Sequence, residues 1–89
     1  MIEVRFAPAL QRHHAIDAQT VGAGSLAQVL GAALLAQPDL RHYVLTDQGH
    51  IRKHVAVFVD NTMHLPRDDL HRAVPDGAKV LVVQCLTGG

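Results

Sequence analysis

Residues 76–89 read DGAKVLVVQCLTGG. Pro75-Asp76-Gly77 predicts a turn, because proline presets the backbone and glycine adopts the angles that tight turns need. Val80 to Leu86 then forms the last predicted strand. Alternation divides it into two faces, Val80, Val82, Gln84 and Leu86 against Leu81, Val83 and Cys85. Apolar residues on both faces indicate either a covered second face or a docking surface.

The stretch closes with Thr87-Gly88-Gly89, which we expect to be a flexible tail (87–89) beyond a folded domain (1–86). Glycine has no Cβ, so such a tail can thread a narrow channel. It would carry the carboxylate of Gly89 away from the domain and into a partner's active site. On the dipeptide alone, a frayed terminus without a role is the favoured interpretation.

Upstream, period-2 alternation predicts further strands. Residues 2–7 form the first, limited by Pro8, and residues 14–21 allow a second. Val55, Val57 and Val59 mark a strong strand, followed by the turn pair Asp60-Asn61 and a short returning strand from Met63 to Leu65. The segment from Pro66 to Ala73 reads as a charged loop or a helical turn.

One amphipathic helix is predicted after Gly22-Ala23-Gly24. Ser25 is a suitable N-cap, and Gln28 stands where a capping box requires it. Apolar residues follow the spacing of one buried face: Leu26, Val29, Leu30, Ala33 and Leu34. Leu35 does not fit this stripe, and Pro38 is expected to end the helix. One helix on a small mixed sheet is an α+β architecture.

Composition excludes several classes. The chain has 89 residues, 48% of them hydrophobic and 18% charged, which argues against disorder. Eight basic and eight acidic residues give a net charge of zero, which argues against nucleic-acid binding. No apolar run approaches the length of a membrane span and no signal peptide is visible, so we expect a cytoplasmic protein without a membrane partner. One cysteine, Cys85, excludes an internal disulfide and multi-cysteine zinc sites.

Three segments together resemble the MoaD/ThiS family of ubiquitin-like sulfur carriers. The start, Met1-Ile2-Glu3-Val4-Arg5-Phe6, is similar to that family's first strand, and Ser25 to Leu30 to its helix. The most specific match is the C-terminal half, residues 54–61, then 76–80, then Leu86-Thr87-Gly88-Gly89. The resemblance implies a β-grasp fold, in which one main helix covers one face of a small mixed sheet.

The resemblance also implies a function. An E1-like enzyme would use ATP to adenylate Gly89, and a sulfur nucleophile would then leave a thiocarboxylate there. The thiocarboxylate would pass sulfur to a biosynthetic enzyme for molybdopterin, the thiazole of thiamine, cysteine or a secondary metabolite. The chain would be a carrier with no catalytic residue, bound cofactor or metal ligand of its own. No nucleophile motif or phosphate loop contradicts that expectation.

Partner enzymes of this family dock on an apolar area of the exposed sheet face. We predict a docking patch formed by Phe58, Met63, Val83 and Leu86. The family's positions also include Ala7, where the molybdopterin branch has an aromatic residue. Gln84-Cys85, in place of that branch's prolines, is a second departure. Both put molybdopterin synthase in doubt, and the lead-in Ile51 to His54 is closer to carriers for cysteine or secondary metabolites.

Two alternatives remain open. The chain could be a ubiquitin-like modifier joined through Gly89 to a lysine of a target. It could instead be a histidine-rich metal-binding module, because it has seven histidines, with His50 and His54 four residues apart. That spacing suits a shared metal ion only on a helix, and here the pair leads into a predicted strand. We therefore expect the histidines to be solvated on the surface. Cys85 is expected to act as a small apolar strand residue, and Arg41, Arg52 and Lys53 as a solvated basic face.

Overall fold

The computed structural model describes residues 1–11 and 17–84, of which the side chains of Ala9 and Gln11 are left aside. The elements in chain order are β1 (Ile2–Phe6), a 3₁₀ turn (Pro8–Gln11), β2 (Gln19–Val21), β3 (Gly24–Ser25), α1 (Leu26–Leu34), α2 (Pro38–Val44), β4 (Val55–Val59), β5 (Thr62–Met63), β6 (Ala73–Val74) and β7 (Lys79–Gln84). No helix within these residues is long and apolar enough to cross a membrane.

The main sheet has five strands in the order β2-β1-β7-β4-β5. The first and last strands of the chain, β1 and β7, are parallel neighbours at its centre, and the other pairs are antiparallel. Helix α1 covers one face, which we call the inner face. This mixed five-stranded sheet with one main helix confirms the predicted α+β β-grasp architecture.

The core lies between α1 and the inner face. The five predicted helix residues are all buried, and Leu35 is 81% exposed, as its position outside the stripe predicted. They meet alternate residues of the strands that are also fully buried: Ile2, Val4, Val55, Val80 and Val82. The alternation read from the sequence therefore predicted the inner face of the sheet.

The start of α1 confirms the capping box. The backbone N–H of Gln28 donates to Ser25 Oγ at 3.2 Å, and Ser25 N–H donates to Gln28 Oε1 at 2.9 Å. Two further free donors at this helix end are satisfied by another segment, because Leu26 N–H donates to the carbonyl of Arg72 and Ala27 N–H to that of Leu70. Side-chain caps and a segment distant in the sequence thus both satisfy backbone donors at the start of α1.

The prediction that the helix ends before Pro38 is confirmed, but the second helix that begins there was not predicted. Helix α1 ends at Leu34, and Pro38 occupies the first turn of a second helix, α2. Proline is favoured there because its missing N–H would have no partner in the helix. Tyr43 and Val44 are the last residues of α2, and Leu45 forms an isolated bridge with Ile51.

The hairpin β4–β5 turns at Asp60-Asn61, both with positive φ (49° and 69°), which confirms the predicted turn pair. A two-residue turn places Thr62 opposite Val59, so the returning strand is Thr62–Met63 and not Met63 to Leu65. The first strand ends at Phe6, one residue before the predicted end, although Ala7 N–H still donates to Val82. Of the predicted second strand 14–21, Gln19–Val21 is a strand and residues 14–16 lie outside the described residues.

A second, two-stranded sheet was not predicted. Ala73–Val74 pairs antiparallel with Gly24–Ser25, immediately before α1. The sequence predicted Ala73 in a charged loop or helical turn, and residues 22–24 as an irregular segment before the helix. Two-residue strands paired across the chain have no periodicity of their own, so no local signal indicates them.

Candidate functional site

The predicted reactive tail begins where β7 ends. Strand β7 is the central strand of the sheet, and its last described residue is Gln84. The predicted adenylation site Gly89, the tail residues Thr87 and Gly88, the patch residue Leu86 and the neighbouring Cys85 lie outside the described residues. Gln84 faces inward beside Val55, and its Oε1 is buried without a hydrogen-bond partner among the described residues.

The opposite face of the sheet, which we call the outer face, brings three predicted patch residues together. Phe58 is directly opposite Met63, and in the next pair of strands it is opposite Leu81. Val83 is opposite Ala56, two residues along from Phe58. Side chains opposite each other in an antiparallel pair lie on the same face. Phe58, Met63 and Val83 therefore share one surface.

Leu81 belongs to this surface and was missing from the predicted docking patch. Leu81 is 39% exposed, comparable to Met63 at 41%. It lies on β7, between Phe58 on β4 and Arg5 on β1. The signal was present in the sequence, since Leu81 is two residues from Val83 and alternation puts both on one face. Ala7 follows Arg5 and Phe6, which lie beside Leu81 and Val82, so Ala7 extends the same surface next to Val83.

The β1 side of the outer face carries charged residues. Arg5 Nε donates to Glu3 Oε1 at 2.6 Å, and Glu3 lies beside Lys79 in the parallel register. The hydrogen bond from Arg5, with the charges of Arg5 and Lys79, lowers the pKa of the Glu3 carboxyl below its ordinary value. The outer face is thus apolar over β7, β4 and β5 and charged at its β1 side.

The predicted turn at Asp76-Gly77 ties the start of β1 to the start of β7. Gly77 has a φ of 86°, and its N–H donates to the carbonyl of Met1. The Asp76 carboxylate accepts a hydrogen bond from the ammonium group of Met1. This hydrogen bond and the charge of the ammonium lower the pKa of Asp76 below its ordinary value.

The expectation that the histidines are solvated is wrong for His64, which is only 6% exposed. It follows β5, and its N–H donates to the carbonyl of Val57, so its side chain turns inward where that of Met63 turns outward. His64 Nε2 has no hydrogen-bond partner among the described residues. Burial by a distant segment, which local pattern does not show, explains the difference.

The pair His50 and His54 is not arranged for a shared metal ion. His50 is exposed in the loop, whereas the ring of His54 packs edge-on against Tyr43 at 4.6 Å between centroids, with its Nε2 buried. Within residues 1–11 and 17–84, no three histidine, cysteine or acidic side chains form a group that could hold a metal.

The basic residues near α2 divide into two groups. Arg52 is half-buried, and its Nε donates to the carbonyl of His42 at 2.6 Å. Arg67 Nη2 donates to the carbonyls of Arg52 and Val55, which fixes the loop before β4. Arg41 and Lys53 are exposed. Of the predicted basic face, therefore, Arg41 and Lys53 are solvated and Arg52 has a structural contact.

Comparison with known proteins was made by sequence and by structure. No family model matches the chain, and no curated protein matches it by sequence. Among solved structures, a chain of the BexX/CysO complex from Amycolatopsis orientalis has a TM-score of 0.81 at 12% identity, covering 100% of both chains.

Two archaeal structures are similar as well. SAMP1 from Haloferax volcanii has a TM-score of 0.74 at 21% identity, covering 99% of this chain and 98% of its own. Urm1 from Sulfolobus solfataricus has a TM-score of 0.68 at 13% identity, covering 92% and 97%. These likenesses extend over nearly the whole chain. The chain therefore has the ubiquitin-like β-grasp fold that these proteins share.

Proposed function

We propose that this protein is a sulfur carrier that works through the carboxylate of Gly89. The observation that carries the proposal is the union of the β-grasp fold with a central strand, β7, that leads directly into Leu86-Thr87-Gly88-Gly89. The likeness to a chain of the BexX/CysO complex supports this choice, since that structure is a complex of two proteins. Function would then depend on one group at the end of a thin peptide.

The chemistry takes two steps on partner enzymes. A carboxylate is a poor electrophile, so an E1-like enzyme joins it to the α-phosphate of ATP, forming the acyl-adenylate and releasing pyrophosphate. A sulfide-level sulfur donor then attacks the acyl carbon, a C–S bond forms, the C–O bond to AMP breaks, and AMP leaves. The product is a Gly89 thiocarboxylate, from which a sulfur-accepting biosynthetic enzyme takes the sulfur. The chain supplies no catalytic side chain.

The outer face provides the docking surface in this proposal. A half-exposed apolar area lies on and beside β7, the strand that leads to the tail. It is formed by Leu81 and Val83 on β7 and by Phe58 and Met63 on the neighbouring strands. An enzyme that covers this area holds the domain while the tail enters its active site. Apolar surface left on a small domain is a common mark of such interfaces. Beyond Thr87, Gly88 keeps the peptide narrow because it has no Cβ, and Leu86 remains a predicted member of the patch.

Intact mass tests the carrier proposal. The full chain is incubated with an adenylating partner, ATP and a sulfide source, and we expect one terminal oxygen to be exchanged for sulfur. Deletion of Gly89 should abolish the exchange and leave the urea unfolding curve unchanged. Leu81→Ser should lower the rate of exchange by raising the KM for the chain, whereas Leu35→Ser, at an exposed site on α1, should not. Absence of exchange with a partner that adenylates the chain would contradict the proposal.

One observation favours a second function. A protein with this fold, from Haloferax volcanii, is described as a small archaeal modifier protein. The same acyl-adenylate can be attacked by a lysine amine instead of sulfur, which would give an isopeptide bond at Gly89. Conjugates that survive reducing gels and carry Gly-Gly on lysine would establish this function. A histidine-rich metal module has no comparable observation in its favour.

A further inference from the structure

A cavity separate from the outer face lies between the main sheet and the small sheet. Its volume is about 250 Å³. It is lined by the end of the β4–β5 hairpin, the first residue of α1 and the β6 segment: Val59, Thr62, Met63, His64, Leu26, and 72–75. This is below the roughly 300–1,000 Å³ typical of sites for drug-sized ligands. The cavity therefore has room for an amino-acid side chain rather than a nucleotide.

Two unpaired strand edges flank this cavity. In the part of the chain that the structure describes, β5 has a neighbour only in β4, and β6 only in β3. Backbone groups in antiparallel strands point alternately to one neighbour and the other. His64 N–H donates to Val57, so the backbone groups of Met63 point away from β4. Arg72 C=O accepts from Leu26, so those of Ala73 point away from β3.

An exposed edge of this kind is a template for one more strand. The backbone N–H and C=O of Met63 and Ala73 have no partner among the described residues. An extended peptide placed there would pair with an edge and direct alternate side chains into the cavity. The lining is mostly apolar and includes Val59, Val74 and Pro75, so an apolar side chain suits it.

Charge indicates what flanks the apolar side chain. Arg72 is the only permanently charged residue that lines the cavity, and its side chain is 53% exposed. Its ion pair with Asp69 is long, at 3.7 Å from Nη2 to Oδ2, so other N–H donors of the guanidinium are available to a ligand. A carboxylate beside the inserted side chain would meet the partly exposed guanidinium of Arg72 at the rim of the cavity.

We propose that the groove between β5 and β6 binds an extended segment of a partner protein, with one apolar side chain in the cavity and an adjacent acidic residue on Arg72. The site uses the backbone of Met63 and not its side chain, which faces the outer surface. It is independent of the tail chemistry, so it can hold or fail separately from the carrier function.

A displayed library of linear heptapeptides, selected on the immobilised full-length chain, tests this site. We expect enriched peptides to carry an aliphatic or aromatic residue next to Asp or Glu. In ¹⁵N-labelled chain they should shift the amide signals of residues 62–64 and 72–75. Arg72→Glu should weaken binding about tenfold, because it replaces an attraction at the rim with a repulsion. Ala73→Pro, which removes an edge donor, should weaken it as well.

Leu81→Ser, on the outer face, is the matched control and should bind the peptides unchanged. Arg72→Glu and Ala73→Pro should in turn keep the exchange of oxygen for sulfur at Gly89. An amide spectrum of each variant checks that it is folded. If the Ala73→Pro variant does not fold, the Arg72→Glu variant alone decides the outcome. The proposal is overturned if no peptide is enriched, if both variants bind as the wild type does, or if the shifted signals belong to Phe58 and Leu81.

Discussion

Along β4 and β7, the two faces of the main sheet carry the same kinds of apolar residue but differ in burial. On β7, Val82 is fully buried under α1, whereas its neighbour Val83 is half-buried on the outer face. On β5, Met63 is 41% exposed, and the next residue, His64, is 6% exposed. The two faces differ in burial because α1 covers only the inner one. The outer face is therefore the apolar surface of the sheet that stays half-exposed.

The largest expected effect contrasts these two valines. Val82→Ala should lower the free energy of unfolding by about 2–3 kcal/mol, because it deletes buried methyl groups and leaves a cavity under α1. Val83→Ala should cost less than about 1 kcal/mol, since its side chain already contacts water. Urea unfolding of both variants measures the difference. Equal losses would show that the outer face is as well covered as the inner one.

Weakening the cover of the inner face should have a smaller effect. Ser25→Ala removes the side-chain acceptor for Gln28 N–H at the start of α1 and should destabilise the domain by about 1 kcal/mol. Gln28→Ala removes only the reciprocal bond to Ser25 N–H and should cost less. Thermal unfolding compares the two variants, with Gln48→Ala in an exposed loop as the control. A larger loss for Gln28 would contradict this ranking.

His64 offers a gain of stability instead of a loss. Its imidazole is buried with Nε2 unpartnered among the described residues, and an unsatisfied polar group costs desolvation energy. His64→Phe keeps a ring there and should be neutral or stabilise the domain by up to about 1 kcal/mol at neutral pH. His50→Phe, at an exposed site, should change nothing. A clear loss of stability in the His64 variant would show that the imidazole is hydrogen-bonded in solution.

The smallest effect concerns the charged β1 side of the sheet. The pKa values of Asp76 and Glu3 are lowered in the folded state, from ordinary values of 3.8 and 4.5. A lowered carboxyl pKa stabilises the fold above the ordinary value, and this contribution is lost as pH falls through the folded-state value. Stability should therefore decline slightly below about pH 4.5, and less so in Asp76→Asn. Unfolding curves between about pH 6 and pH 2.5 measure the slope; identical slopes would contradict it.

Much of the fold could be predicted from local pattern. The alternation in β1, β4 and β7, the stripe and capping box of α1, and the turns at Asp60 and Asp76 are consequences of short-range geometry, and the structure has them all. The two features that were missed have different origins. Pro38 starts α2 through a local preference for proline in the first turn, whereas Ala73 joins a strand because it pairs with Ser25, which is distant in the sequence.

The candidate site divides in the same way. Alternation along β4 and β7 was enough to put Phe58 and Val83 on one side, and the terminal Gly88-Gly89 pointed to the tail. Whether these residues become neighbours depends on register. The two-residue turn sets Met63 against Phe58, and the pairing of β4 with β7 sets Leu81 beside them. No local pattern indicated the groove between β5 and β6, since its two sides are contributed by separate sheets.

The sequence by itself determined which residues alternate, where α1 begins and where the chain turns, because propensity, capping and periodicity act within a few residues. Only the tertiary structure decided which apolar face stays open, that His64 is buried, and that the edges of β5 and β6 lie on either side of one cavity. Burial depends on which segments pack against each other, and those contacts join residues far apart in the chain.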